Sequence, residues 1–144
     1  MKFKLVFLAL LFSMCSNVTQ ETPQDIRVVS LSTTHTEIIQ SLEAQETLVA
    51  VDSFSEGDFP CEVIDAYTVT AEELAPLDPD VVILAFDFNG IVEGLENQEI
   101  NYVLLPPAKN FEDVYSQIET IGSLVNKESE AFSTTRDMKS EINR

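Results

Sequence analysis

Four short apolar runs rich in β-branched residues recur along this chain, at residues 26–31, 48–51, 81–85 and 102–105, each followed by a polar or turn-forming segment. The runs are near-continuous in hydrophobicity rather than alternating, the pattern expected of strands covered on both faces. Helical or turn segments separate them at residues 34–43, 70–77 (closed by Asp78-Pro79) and around 91–96. Strands alternating with helices fold as a parallel α/β sheet, so the expected fold class is an α/β, open parallel sheet with flanking helices, a single Rossmann-like lobe. A minor strand near residues 67–69 fits the same reading. Loops at the carboxyl ends of such strands are where open sheets bind ligands.

After Pro106-Pro107 the character changes. Asn110 is a good N-cap and Asp113 places negative charge near the helix amino end. Phe111, Val114, Tyr115, Ile118, Ile121 and Val125 then fall on one helical face. The spacing predicts a helix to Val125, a break with Asn126 in the C-cap role, and a second helix carrying Ala131, Phe132, Thr135, Met138 and Ile142. Between the first two strands, Thr34-His35-Thr36-Glu37 reads as a capping box, Thr34 bonding the Glu37 N–H and the Glu37 carboxylate reaching back.

The amino terminus carries a different signal. Lys2 and Lys4 precede an apolar core at residues 5–12 that is too short to span a bilayer, a secretory leader pattern. Phe12-Ser13-Met14-Cys15 resembles a lipoprotein cleavage box, which makes Cys15 the expected lipidation site and the export route the expected fate. Residues 1–20 are therefore read as leader and start of a tether, 21–25 as tether, 26–109 as the ligand-binding lobe and 110–144 as a long helical backbone segment. Cys61 is the only other cysteine, so packing is its expected role, with a single Cys15–Cys61 bridge the alternative if Cys15 stays unmodified.

Charge narrows the partners. The chain holds 25 acidic and 8 basic residues for a net −17, and every acid but only six of the bases lie after Gln20. Nucleic-acid binding needs clustered Lys and Arg, so a nucleic acid is excluded as a partner. No Gly-rich phosphate loop or Gly-x-Ser-x-Gly elbow is present to make the lobe a nucleotide site or a hydrolase. His35 is the only histidine. A catalytic role would need a nucleophile and an orienting group, and a metal role would need co-ligands such as Glu37 and Asp52. A first-turn histidine is expected to serve local hydrogen bonding instead. The reading is of a non-enzyme with no cofactor and no resident metal.

Three blocks of sequence carry a family resemblance. Ser30-Leu31-Ser32-Thr33-Thr34-His35-Thr36-Glu37, followed by Val49-Ala50-Val51-Asp52-Ser53-Phe54-Ser55, resembles the opening of the cobalamin and ferric-siderophore substrate-binding proteins of ABC importers. Thr33 replaces a usual Pro, Ala50 a usual Gly, and Phe54 an aromatic that is often Tyr, while Glu56-Gly57 lengthen the loop. Residues 70–83, with Leu77-Asp78-Pro79-Asp80-Val81, and residues 110–124, from Asn110-Phe111-Glu112, match two further blocks in the right order.

The resemblance implies an exported protein that captures a cobalamin-type or iron-chelate ligand and delivers it to the importer's permease subunits. It implies a ligand-contacting aromatic at Phe54, with Thr33, Thr34, Asp52, Ser53 and Asn89 as polar candidates beside it. It implies a docking carboxylate at Glu72 that meets permease arginines, and it touches the membrane only through a lipid anchor. Glu73 is read as a solvated helix face; the loops of the strand-end aromatics Tyr67 and Phe88 could offer a ligand flat surface, while Phe59 and Phe86 are read as core caps. In the family this helical segment leads into a second lobe, which the reading takes to be absent here. A stand-alone half-lobe acting as a protein-interaction module is the alternative, favoured by any continuous apolar strip on the last helix. An exported enzyme built on His35 is the remaining rival.

Overall fold

The structure is a computed structural model that describes residues 26–142. The leader, Cys15 and the tether up to residue 25 lie outside the described residues. Five strands, β1 (Val28–Leu31), β2 (Leu48–Asp52), β3 (Glu62–Ile64), β4 (Val81–Leu84) and β5 (Tyr102–Leu104), form one sheet in the order β3-β2-β1-β4-β5. Every pairing is parallel. Helices α1 (Thr33–Ser41), α2 (Ala71–Leu74), α3 (Ile91–Asn97), α4 (Phe111–Leu124) and α5 (Glu128–Ile142) connect and cover it.

Strand alternation sends successive side chains to opposite faces, and here both faces are dry. Val28, Val81 and Ile83 meet Ile39 and Leu42 of α1 and Ile118 and Ile121 of α4 on one side. Val29, Val82 and Leu84 meet Leu74 of α2 and Ile91 and Leu95 of α3 on the other. This two-sided burial is why the strands read as unbroken apolar runs.

The edge strand β3 departs from the expected position. Residues 67–69 form a turn and its exit, and the strand lies earlier, at Glu62–Ile64. Its Val63 is exposed, so burial imposes no apolar signature there. The expected Thr34–Glu37 capping box also does not form. Helix α1 begins one residue earlier, with extended Ser32 at the N-cap and no side-chain cap, which places Thr34 inside the first turn. A complete capping box sits instead at Thr70 and Glu73: the Glu73 N–H donates to Thr70 Oγ1, and the Thr70 N–H donates to Glu73 Oε2 at 2.9 Å. Glu73 is thus a capping residue as well as a solvated one.

Helices α4 and α5 form a hairpin. Asn126 adopts a left-handed conformation, φ 57°, and the Lys127 N–H donates to the Gly122 carbonyl at 2.7 Å, closing the end of α4. Phe111 and Phe132, assigned to the inner faces by periodicity, are exposed at 60% and 64%, while Tyr115 and Ala131 are buried. The helices touch where Gly122 meets Ala131: a β-carbon on Gly122 would lie 2.4 Å from the Ala131 Cβ and 3.1 Å from the Lys127 carbonyl oxygen.

Gly122→Ala is therefore expected to destabilise the fold by about 1 kcal/mol, overpacking outweighing the gain in helix propensity. Combined with Ala131→Gly it will recover part of that loss. Urea unfolding of the two single variants and the double variant checks this, and simple additivity would contradict the contact.

Candidate functional site

The chain runs from β1 outward through β2 to β3 and then returns to place β4 on the other flank of β1. The β1/β4 junction is therefore the point where connections diverge, and loops there leave a crevice open. A cleft of about 220 Å³ occupies it, bordered by the β1–α1 turn, the loop after β2, the turn after β3 and the loop after β4. It is smaller and more open than a pocket that encloses a drug-sized ligand, at about 300–1,000 Å³. Its geometry is that of one wall.

Hydroxyl groups fix the first side of this wall. Thr36 Oγ1 is buried, 2.8 Å from Ser30 Oγ and 3.1 Å from the Ser32 carbonyl, and Ser55 Oγ reaches it at 3.1 Å from the β2–β3 loop. Asp52 ties the same two segments: its Oδ2 accepts from Thr33 Oγ1 at 3.2 Å and from the Phe54 N–H at 3.3 Å. Asp52 is 5% exposed, and its Oδ1 is buried with no partner among the described residues.

Aromatic rings make the rest. Phe54, Tyr67, Phe88 and Phe86 form a continuous row, with successive centroids 6.2, 4.6 and 5.3 Å apart and planes tilted by 85°, 47° and 46°. Phe54, Tyr67 and Phe86 are each at least half exposed. Large rings held open to solvent beside a concavity are a binding surface rather than a core. The position of Phe86 corrects its expected role as a core cap, because β4 ends at Leu84 and the chain turns before the alternation can carry Phe86 inside. Phe59, by contrast, is half-buried against the core.

The sequence-based candidates divide accordingly. Thr33, Thr34, Asp52 and Phe54 line the cleft together. Ser53 is exposed outside the lining, its N–H donating to the Ile64 carbonyl at 2.7 Å. Asn89 also lies outside the lining, and its side-chain amide donates to the Tyr67 carbonyl, which ties the β4–α3 loop to the turn carrying Tyr67. Tyr67, Phe86 and Phe88 line the cleft without having been assigned to it; their only sequence signal is aromatic character at strand ends. Glu72 is exposed at the second position of α2, five residues beyond Tyr67.

His35 is 2% exposed, and its Nδ1 has no hydrogen-bond partner among the described residues, against the expectation of a local bond from the first turn. Burial pushes its pKa down to about 4, while a backbone contact with Leu105 acts in the opposite direction. Among the described residues no three His, Cys, Asp or Glu side chains are grouped to hold a metal ion. Cys61 is half-buried and unbridged among the described residues, and burial raises its thiol pKa.

Residues 28–144 match the family model described as "Periplasmic binding protein". No curated protein matches the chain. Among solved structures, it is similar to a possible iron-binding (periplasmic solute-binding) protein from Staphylococcus epidermidis, at 22% identity and a TM-score of 0.71 over 81% of this chain and 48% of that one. It is also similar to the periplasmic heme-binding protein HutB of Vibrio cholerae, at 24% identity and a TM-score of 0.72 over 83% of this chain and 49% of that one. A third, from an ABC-type Fe3+-hydroxamate transport system of Saccharomonospora viridis, gives 21% identity and a TM-score of 0.63 over 81% and 48%. At these identities the likeness shows the fold, and the chain spans about half the length of these structures.

Proposed function

The chain belongs to the periplasmic binding protein family, and from that premise we propose that it supplies one wall of the ligand cleft of an extracytoplasmic substrate-binding protein of an ABC importer. Its ligand is a large metal chelate of the haem, cobalamin or ferric-siderophore kind that presents a broad face to the wall. The row of exposed aromatic rings across the β1/β4 junction carries this reading, since broad apolar faces are what such ligands need and what isolated surface aromatics do not provide. Two of the similar structures are a periplasmic heme-binding protein and a protein of an Fe3+-hydroxamate transport system, which agrees with the chelate class.

In this reading no bond is made or broken. Thr33, Thr34, Phe54 and Tyr67 meet the ligand, Asp52 holds Thr33 and the Phe54 backbone in place, and Asn89 positions Tyr67; Ser53 reaches a ligand only from the rim. Glu72, unpaired among the described residues, docks to arginines on the permease, an exposed carboxylate to which a guanidinium fork can bond bidentately. Cys15 tethers the protein to the membrane by acylation. The rival reading as an interaction module asks for a continuous apolar strip on α5. Its exposed Phe132 and Ile142 stand ten residues apart, about 80° around the helix, and so make two separate spots.

The test is a visible-absorbance titration of the chain with hemin, cyanocobalamin and a ferric hydroxamate, whose own bands replace the tryptophan this protein lacks. A saturable band shift with at least one of them is the expected result. No shift with any of the three would overturn the proposal.

A further inference from the structure

The cleft carries an electrostatic bias that narrows its ligand class. Among the described residues that line it none is Lys, Arg or His, and one, Asp52, is a carboxylate. The loops that present the aromatic row add Glu56, Asp58, Asp65 and Asp87 and no base. The described basic side chains lie elsewhere: Arg27 enters β1 at the opposite end of the sheet, where its guanidinium donates to the Leu77 and Asp78 carbonyls. Lys109 sits on the loop after β5, at the same edge of the sheet but outside the cleft lining, and Lys127, Arg136 and Lys139 belong to the α4–α5 hairpin.

Two features make this bias more than a solvated acidic surface. Asp52 is buried at the edge of the cleft with Oδ1 unpartnered, so part of its charge is uncompensated where water screens poorly. Aromatic rings line the same cleft, at Phe54, Tyr67, Phe86 and Phe88, and the face of such a ring attracts a cation.

We infer that this wall selects by charge: it takes a neutral or cationic ligand face, such as the metal-centred face of a macrocycle or a cationic hydroxamate chelate, and disfavours polyanionic chelates of the tris-catecholate type. The inference rests on the reading of the cleft as a ligand wall and sharpens it. Anionic substituents of an accepted ligand must point away from β1–β4, toward solvent or an opposing surface.

Two porphyrins of the same ring system and opposite charge separate the possibilities: a tetracationic N-methylpyridinium porphyrin and a tetra-anionic sulfonatophenyl porphyrin. Each is titrated into the full chain by absorbance at about 0.15 M salt, where interactions beyond roughly 8 Å are screened. The cationic porphyrin is expected to bind at least about tenfold more tightly. Asp52→Asn, which keeps an acceptor for Thr33, is expected to weaken it by about threefold or more. Glu130→Gln, an equal change of charge on the exposed face of α5, is expected to leave it unchanged.

Equal or tighter binding of the anionic porphyrin would overturn the charge selection while leaving the ligand wall standing. Equal effects of Asp52→Asn and Glu130→Gln would reduce the preference to net charge and overturn the role of the cleft. Binding of neither porphyrin, where one of the three chelates does bind, would overturn this inference alone; with no chelate bound either, the ligand wall falls with it.

Discussion

Tyr67→Ala will cost the chain about 2–4 kcal/mol of chelate affinity, some thirtyfold to a thousandfold, in an absorbance titration with hemin. Tyr67 is the middle of the aromatic row, touching Phe88 at 4.6 Å and Phe54 edge-on at 6.2 Å, so its removal breaks one surface into two. Its turn is held at both ends, by its own N–H on Asp65 Oδ1 at 2.9 Å and by the Asn89 amide on its carbonyl. That preorganisation is what lets one ring contribute as much as a central interface residue does. Tyr67→Phe keeps the ring and is expected to stay within about threefold of the parent. Phe132→Ala removes an even more exposed ring from α5 and should leave affinity unchanged. Matching losses in Tyr67→Ala and Phe132→Ala would contradict the assignment of the row.

Acid will destabilise the lobe through His35. The folded imidazole is held near a pKa of about 4 by burial, against 6.5 when exposed. Between those values the unfolded chain binds a proton that the folded chain does not. Stability therefore rises with pH from about 4 to about 6.5 and is level above that, as far as this group is concerned. The contribution over the whole window is about 3 kcal/mol. Acidification acts on the whole protein, so the comparison is between the parent and His35→Gln: urea unfolding followed by circular dichroism at pH 7 and pH 4. The parent is expected to lose about 3 kcal/mol more than the variant on acidification. Parallel losses would show that His35 is accessible to protons in the folded state.

The parts of the fold that could be read in the sequence are those whose burial is two-sided. β1 and β4 lie at the centre of the sheet, each strand facing helices on both sides, and their unbroken Val and Ile runs say so directly. β3 was misplaced because an edge strand of three residues with an exposed Val63 has no comparable pattern to show. The capping box was misplaced for a different reason. The segment Ser30 to Thr36 holds five hydroxyl residues, and local chemistry cannot choose among them. The choice is made by Ser55 arriving from another loop and by Asp52 accepting from Thr33.

The cleft divides along the same line. Thr33, Thr34, Asp52 and Phe54 were legible because they flank two adjacent parallel strands, whose carboxyl ends must lie side by side. Tyr67, Phe86 and Phe88 come from two loops on opposite flanks of β1 and β2, and only the folded sheet brings their rings into one row. The burial of His35 had no sequence signal either, and its backbone partner, Leu105, comes from the far edge of the sheet.

In the proposed function, ligand meets the carboxyl ends of β1 to β4. The most direct measurement is a nuclear magnetic resonance titration of the isotopically labelled chain with the tetracationic porphyrin, mapping backbone amide shifts by residue. Saturable changes are expected, concentrated at Thr33, Phe54, Tyr67 and Phe86. A second hollow, at the opposite end of the strands and bordered by Arg27, Phe59, Cys61 and Leu77, serves as the internal control. Changes centred there, or scattered over the acidic surface without saturation, would contradict the proposed function.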